Sequence, residues 1–133
     1  MRLRAGRASR ILALSCGLAS LACTSSPDPS FPTGDVSIVL NAAAAGGAAF
    51  APNPFRRSFA TGPKVTWVNA DRLSNWYGGT TGTTHQLVSD AGVFDSGSLA
   101  PGKTFAFTFA ASGTYSYHCA IHPSMVGTIT LSP

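Results

Sequence analysis

Two runs of alternating apolar and polar residues, joined by a short loop, make up residues 113–131, GTYSYHCAIHPSMVGTITL. In the first run Tyr117 and Cys119 are separated by a histidine, and in the second Ile129 and Leu131 are separated by a threonine. Successive side chains of a strand point to opposite faces, so a period of two predicts half-buried β-strands. The segment is therefore expected to be two neighbouring strands whose connecting loop lies at one end of a sheet.

The same alternation recurs upstream, between turns that contain glycine or proline. The predicted strands are residues 36–40, 65–69, 85–89, 105–109, 115–119 and 126–131. Residues 42–49 are rich in alanine but contain Gly46-Gly47 and are followed by two prolines, which predicts a loop. Short strands at regular spacing with such turns are typical of an all-β fold, and two sheets packed as a β-sandwich are expected.

The N-terminal part of the chain is expected to direct export. Four arginines in the first ten residues precede an uncharged apolar run, residues 11–23, which is the pattern of a signal peptide. Cys23 follows a small residue, as in a bacterial lipobox, and is expected to be lipidated; ordinary cleavage after Ala22 is the alternative. The expected organisation is a signal over residues 1–23, a flexible linker over 24–34 and a single domain over 35–133. The predicted location is the bacterial periplasm or cell envelope.

The charge and the cysteine content limit the possible functions of the domain further. The formal charge of +4 comes from the signal region, because the remaining five basic residues are matched by five acidic ones. A near-neutral domain argues against binding of nucleic acid, which requires a basic patch. Cys119 is the single cysteine of the expected domain, so a disulfide within the domain is excluded. A lone thiol in an exported protein can pair with another chain, react, or bind a metal.

The loop carries three side chains that bind soft metals. Cys119, His122 and Met125 follow the spacing C-x2-H-x2-M. Thiolate and thioether ligands favour a soft metal, imidazole suits copper or zinc, and two histidines with a cysteine and a weak axial methionine describe a blue-copper site. His118 neighbours Cys119 on the strand and is expected on the opposite face. His85, on another strand, is the geometrically possible second histidine.

Residues 113–128 closely resemble the plastocyanin-like cupredoxins, with the short ligand loop of amicyanin and pseudoazurin. Residues 65–69, 84–90, 92–97 and 99–102 are also similar to that family, in the same order. The resemblance covers nearly all of residues 35–131. It implies a Greek-key sandwich of about seven to eight strands and one type 1 copper ion held by His85, Cys119, His122 and Met125. It further implies a monomeric electron carrier, with no enzymatic activity, that makes transient contacts with redox partner proteins.

Three features depart from the family pattern. Gln86 replaces the asparagine that usually follows the first histidine ligand, and the usual link between the ligand loops is then in question. The segment 73–83 makes the connection before His85 longer than is usual in the family, and it is expected beside the copper end of the sandwich. It contains Trp76, which either contacts a partner or covers the ligand loop. Ile121 stands where many relatives have proline, so its backbone N–H can donate to the cysteine sulfur beside that of Gln86.

A copper-binding sandwich can also serve functions other than electron transfer. Multicopper oxidases and nitrite reductases need further copper centres built from additional histidines, and three histidines in the whole chain argue against them. A copper carrier or storage protein remains the alternative, because the ligand set alone does not distinguish it. Stable binding with redox cycling indicates a shuttle, whereas ready exchange with a chelator indicates a carrier.

Overall fold

The computed structural model describes residues 31–74 and 80–133. The strands of the two main sheets are β1 (Val36–Ile38), β2 (Phe50–Ala51), β3 (Phe55–Ser58), β4 (Lys64–Asn69), β7 (Leu87–Ser89), β8 (Thr104–Thr108), β9 (Gly113–Cys119) and β10 (Val126–Ser132). A separate hairpin pairs β5 (Arg72–Ser74) with β6 (Thr80–Gly82). A short helix, α1 (Ala42–Ala45), and 3-10 turns at Gly46–Ala48 and Phe59–Thr61 complete the described elements.

The eight main strands form two four-stranded sheets. Their orders are β2-β1-β4-β8 and β3-β10-β9-β7. The pairings β1·β4 and β3·β10 are parallel and the others within these sheets are antiparallel. The predicted all-β sandwich is confirmed, and the hairpin is an addition to it.

The core lies between the two sheets and is rich in aromatic rings. Trp67 is completely buried on β4, with ring centroids 5.2 Å from Phe94, 5.6 Å from Phe105 and 5.7 Å from Tyr117. Tyr117 is on β9 of the opposite sheet, so these rings join the two layers. Cys119 is two residues further along the same strand face and is also fully buried. The metal-binding loop therefore starts directly from the packed core.

Two segments differ from the sequence-based expectations. Residues 42–49, expected to be a loop, contain helix α1 and a 3-10 turn, and Ala42 and Ala49 are buried in the core. Residues 72–74 and 80–82, for which no strands were predicted, pair as β5 and β6. In the part of the chain that the structure describes, no helix has the length and apolarity to span a membrane.

Candidate metal site

Cys119 is the last residue of β9 and lies at the entrance of the loop to β10. The Cys119 backbone N–H donates to the carbonyl of Met125 at 3.0 Å, and the Met125 N–H donates to the carbonyl of His122 at 2.9 Å. These bonds close the loop into a tight turn that includes Pro123, whose fixed φ favours it. The predicted return of the chain is therefore present, and the loop holds the thiol, imidazole and thioether at one end of the sandwich.

His85 reaches the same point from the neighbouring strand. It lies just before β7, which pairs with β9 so that Leu87 is opposite Cys119. The Nδ1 atoms of His85 and His122 are 3.7 Å and 3.8 Å from the Cys119 Sγ. The possible ligand atoms of these three residues all lie within 4.8 Å of one another. The structure thus brings together three of the four predicted ligands.

The spacing of the three atoms fits a metal ion. Ligand bonds to a borderline-soft divalent metal are about 2.0–2.3 Å long, which places trigonal ligand atoms roughly 3.5–4.0 Å apart. The two nitrogen–sulfur separations fall within that interval. Met125, the fourth predicted ligand, is fully buried at the end of the same loop. A soft sulfur and two imidazole nitrogens beside a buried thioether form a donor set suited to copper.

The His85 ring is held from behind by a carboxylate. Its Nε2 is 2.9 Å from the Asp71 Oδ2, and both side chains are almost completely inaccessible to solvent. Burial lowers the pKa of His85 below its ordinary value; the hydrogen bond and charge of Asp71 act in the opposite direction, and the charge of His122 lowers the pKa further. The lowered pKa favours the neutral imidazole, which is the form that binds metals. Sequence reasoning did not identify Asp71.

The two ligand-bearing segments are tied together through their backbones. Gln86 donates its backbone N–H to the Cys119 Sγ at 3.5 Å and accepts the Ala120 N–H at 2.8 Å. The Gln86 side chain turns away and donates to both carboxylate oxygens of Asp95, at 2.9 Å and 3.1 Å. That hydrogen bond is the main cause of a lowered pKa of Asp95. The glutamine side chain therefore supports the Asp95 turn, and the link between the loops does not depend on it.

Comparison with known proteins identifies the family. Residues 37–132 match the copper binding proteins of the plastocyanin/azurin family. The chain belongs to the plastocyanin/azurin family. A plastocyanin from Lactuca sativa is 34% identical over 110 residues, covering 71% of this chain and 98% of the relative. Membership of this family supports the assignment of the chain as a copper-binding electron-transfer protein.

Solved structures agree with this assignment. A purple cupredoxin from Nitrosopumilus maritimus superimposes with a TM-score of 0.57 and 29% identity, covering 73% of this chain and 97% of that one. A reduced Cu(I) form of an amicyanin variant has a TM-score of 0.51 at 21% identity, covering 77% and 87% of the two chains. The second likeness supports the fold alone. The predicted cupredoxin architecture and the predicted copper cofactor are confirmed.

Two residues beside the ligands of this cupredoxin, His118 and Ile121, do not contribute to the metal cluster. His118 is on the outer face of β9, partly exposed, with its Nδ1 2.6 Å from the Asp90 Oδ1. It therefore does not join the metal cluster. Among the described residues, the Gln86 N–H is the backbone donor to the Cys119 sulfur, and the second bond that the Ile121 N–H could make is not formed.

Exposure is uneven across the site of this family member. His85, Cys119 and Met125 are fully buried, whereas His122 is partly exposed. Ile121, next to His122, is 49% exposed. The segment that follows the hairpin reaches the buried side of the site. Its Thr83 N–H donates to the carbonyl of Asp71 at 3.1 Å, and the Asp71 side chain contacts His85. The predicted position of the insertion beside the copper end is thus confirmed for its base, and Trp76 lies outside the described residues.

Proposed function

We propose that this chain is an extracytoplasmic carrier of single electrons in which His85, Cys119, His122 and Met125 hold one type 1 copper ion. The convergence of His85 Nδ1, Cys119 Sγ and His122 Nδ1 beside a buried methionine carries this proposal. Copper bound there supplies a one-electron change between Cu(II) and Cu(I). One electron arrives from a reduced partner protein and leaves to an oxidised one, without a bond being formed or broken in the chain.

The role of the protein in this process is to hold the ligands in place. The loop is closed by its own backbone hydrogen bonds, and Ala120 and Gln86 join it to the segment carrying His85. Cys119 and Met125 are packed in the same core cluster as the two sheets. A site with little freedom to move changes little between oxidation states, which favours rapid electron transfer.

A visible spectrum of the purified domain with one equivalent of Cu(II) tests the proposal. An intense thiolate-to-copper band that disappears on reduction and returns on oxidation is the expected result. A colourless protein despite full copper loading would contradict the ligand assignment. Rapid loss of the ion to a competing chelator, without reversible voltammetry, would instead indicate the copper carrier or storage function.

A small apolar surface around His122 is the proposed contact area for redox partners. It consists of Ala120, Ile121, Pro123 and Val126, all exposed and uncharged, and is called the loop face below. Ile121 and Val126 are 49% and 50% exposed, which is unusual for large aliphatic side chains. Transient complexes have small interfaces with few charges at their centre, as this surface offers.

Replacement of Ile121 by glutamine is expected to slow electron self-exchange between oxidised and reduced copies by roughly five- to tenfold, corresponding to the loss of about 1 kcal/mol in the encounter. The visible spectrum should not change, because the side chain points to solvent. NMR line broadening in mixtures of the two oxidation states measures the rate. Val93→Gln is the matched control, since Val93 is also exposed, at 38%, but lies on the turn after β7. Equal slowing in both variants would show that the loop face has no special role.

We further propose that Cys23 carries a lipid that anchors the domain to a membrane. The support is the apolar run before Cys23, the small residue that precedes it and the polar segment after it; residues 1–30 lie outside the part of the chain that the structure describes. A single acyl chain gives only weak membrane binding, so stable anchoring requires more than one. The intact mass of the native protein is expected to equal residues 23–133 plus acyl groups. An N-terminus at any other residue would exclude the anchor.

A further inference from the structure

Asp71 is a buried residue in which both carboxylate oxygens, the backbone N–H and the backbone carbonyl each have a hydrogen-bond partner. Oδ1 accepts the backbone N–H of Asn41 at 2.8 Å, and Oδ2 lies 2.9 Å from the His85 Nε2. The Asp71 backbone N–H donates to the Asn69 Oδ1 at 3.0 Å. Its carbonyl accepts the Thr83 N–H at 3.1 Å. Burial of a carboxylate is costly unless such partners are present, so the arrangement holds Asp71 in one orientation.

The β5–β6 hairpin closes over this residue. A methyl group at Gly82 would overlap the Asp71 carbonyl oxygen and lie 2.9 Å from both Arg72 Cα and Pro101 Cγ, so the returning strand can pass this close only with glycine. The Asn69 side chain donates to the carbonyls of Thr83 and Leu99, both at 2.8 Å. The base of the hairpin therefore fixes the carboxylate against His85 from the side opposite the ligand loop.

The direction of the hydrogen bond determines which His85 nitrogen can bind a metal. The carboxylate is an acceptor for both of its neighbours, so the His85 Nε2 carries the proton. In the neutral ring Nδ1 then has a free lone pair, and Nδ1 is the atom that faces the Cys119 Sγ at 3.7 Å. A carboxylate that accepts the outer N–H of a metal-bound histidine both fixes the ring and makes its other nitrogen a stronger donor.

We propose that Asp71 is the positioning residue for His85, holding the ring in the Nε2–H tautomer with Nδ1 directed at the metal. A stronger donor stabilises Cu(II) more than Cu(I), so Asp71 also lowers the reduction potential of the site. The part concerning the potential rests on the proposed function, whereas the part concerning the tautomer applies to the metal-free protein.

The substitution Asp71→Asn tests this role with almost no change in shape. The Asn41 N–H and the His85 ring N–H bond to different oxygens of Asp71, and an amide in the same orientation has an oxygen at only one of these two positions. If its NH2 group faces His85, it favours the other tautomer, in which Nδ1 carries the proton. If its oxygen faces His85, the ring loses the charged acceptor. In both cases Nδ1 becomes a weaker ligand.

Asp35→Asn is the matched control. Asp35 is a partly buried carboxylate that accepts the Thr66 backbone N–H at 2.9 Å and pairs with Arg57. It precedes β1, at the opposite end of that strand from Asn41, and contacts none of the predicted ligands. Both variants remove one negative charge and a long-range hydrogen bond. Only Asp71→Asn alters a contact with a predicted metal ligand, His85.

The first measurement is the tautomer of His85 in the metal-free protein, by long-range proton–nitrogen-15 NMR. The Nε2–H form is expected in the wild type and in Asp35→Asn, and a mixture or the Nδ1–H form in Asp71→Asn. The second is the copper affinity of both oxidation states, with the reduction potential. Asp71→Asn is expected to bind Cu(II) about 10- to 100-fold more weakly. Each tenfold loss that is not matched by Cu(I) raises the potential by about 59 mV.

A wild-type His85 that carries its proton on Nδ1 in the metal-free protein would overturn the inference, even if the variant failed to fold. A folded Asp71→Asn protein with the potential of the Asp35→Asn control would also overturn it. If the wild type binds copper without an intense visible band, the proposed electron-transfer function fails, while the tautomer measurement still decides the role of Asp71.

Discussion

Replacement of Cys119 by alanine is expected to abolish the intense visible band of the copper-loaded protein completely. The band requires the thiolate, and Cys119 is the one free cysteine within the described residues. Copper affinity should fall by more than the roughly 10- to 100-fold that follows loss of a group that only supports a ligand. The sandwich should still fold, because Cys119 pairs with Leu87 of β7 and bonds to Met125 through its backbone and not through its sulfur.

His118→Ala is the appropriate control for this experiment, because His118 is the adjacent residue on the opposite face of the same strand. It should retain the band at nearly the same intensity. Met125→Leu should retain copper and colour but raise the potential, since a weak axial donor to Cu(II) is removed. Full colour in Cys119→Ala, with circular dichroism showing a folded protein, would disprove the ligand assignment.

Replacement of Trp67 by alanine is expected to lower the free energy of unfolding of the metal-free domain by about 3–5 kcal/mol. Trp67 is completely buried and contacts rings from both layers, so its removal leaves a cavity at the centre of the core. Urea unfolding followed by circular dichroism measures the change. Val93→Ala, at a partly exposed site, should alter stability by no more than about 0.5 kcal/mol. A loss below about 1 kcal/mol for Trp67→Ala would mean that the rings do not form the main core.

The central strands could be predicted because one of their faces is buried. In β9 and β10, Tyr117, Cys119, Ile129 and Leu131 are all buried, and the intervening side chains are less so, as the alternation indicated. Strand β3 could not be predicted in this way. The side chain of its Arg57 bonds to Asp35, just before β1, and to the Lys64 carbonyl on β4, so its partners belong to the other sheet. That environment depends on tertiary contacts and leaves no periodic pattern.

Helix α1 was missed for a different reason. Four alanines provide no amphipathic period, and the helix is too short to be stable without the surrounding core. The β5–β6 hairpin was also missed, since its threonines and glycines do not alternate in polarity. Both elements depend on packing against the sandwich, which local sequence does not describe.

The metal-binding residues were easier to find than their support. Cys119, His122 and Met125 are close in sequence, and few histidines competed for the remaining position, so spacing and ligand chemistry were sufficient. Asp71 is 14 residues from His85, on the other side of a hairpin that was not predicted. An aspartate before an insertion has no distinctive spacing, and only the folded chain shows that it meets the histidine.

The difference in exposure between His122 and the three buried predicted ligands has a consequence for how the protein acquires its metal. An incoming ion can first meet only the His122 imidazole at the loop face, and passes inward from there to Cys119 and His85. A chaperone that delivered copper to the folded chain by this route would occupy the loop face, which is also the surface proposed above for redox partners. On that proposal, metal delivery and electron exchange exclude each other in time, and an abundant redox partner would slow metallation of the folded chain.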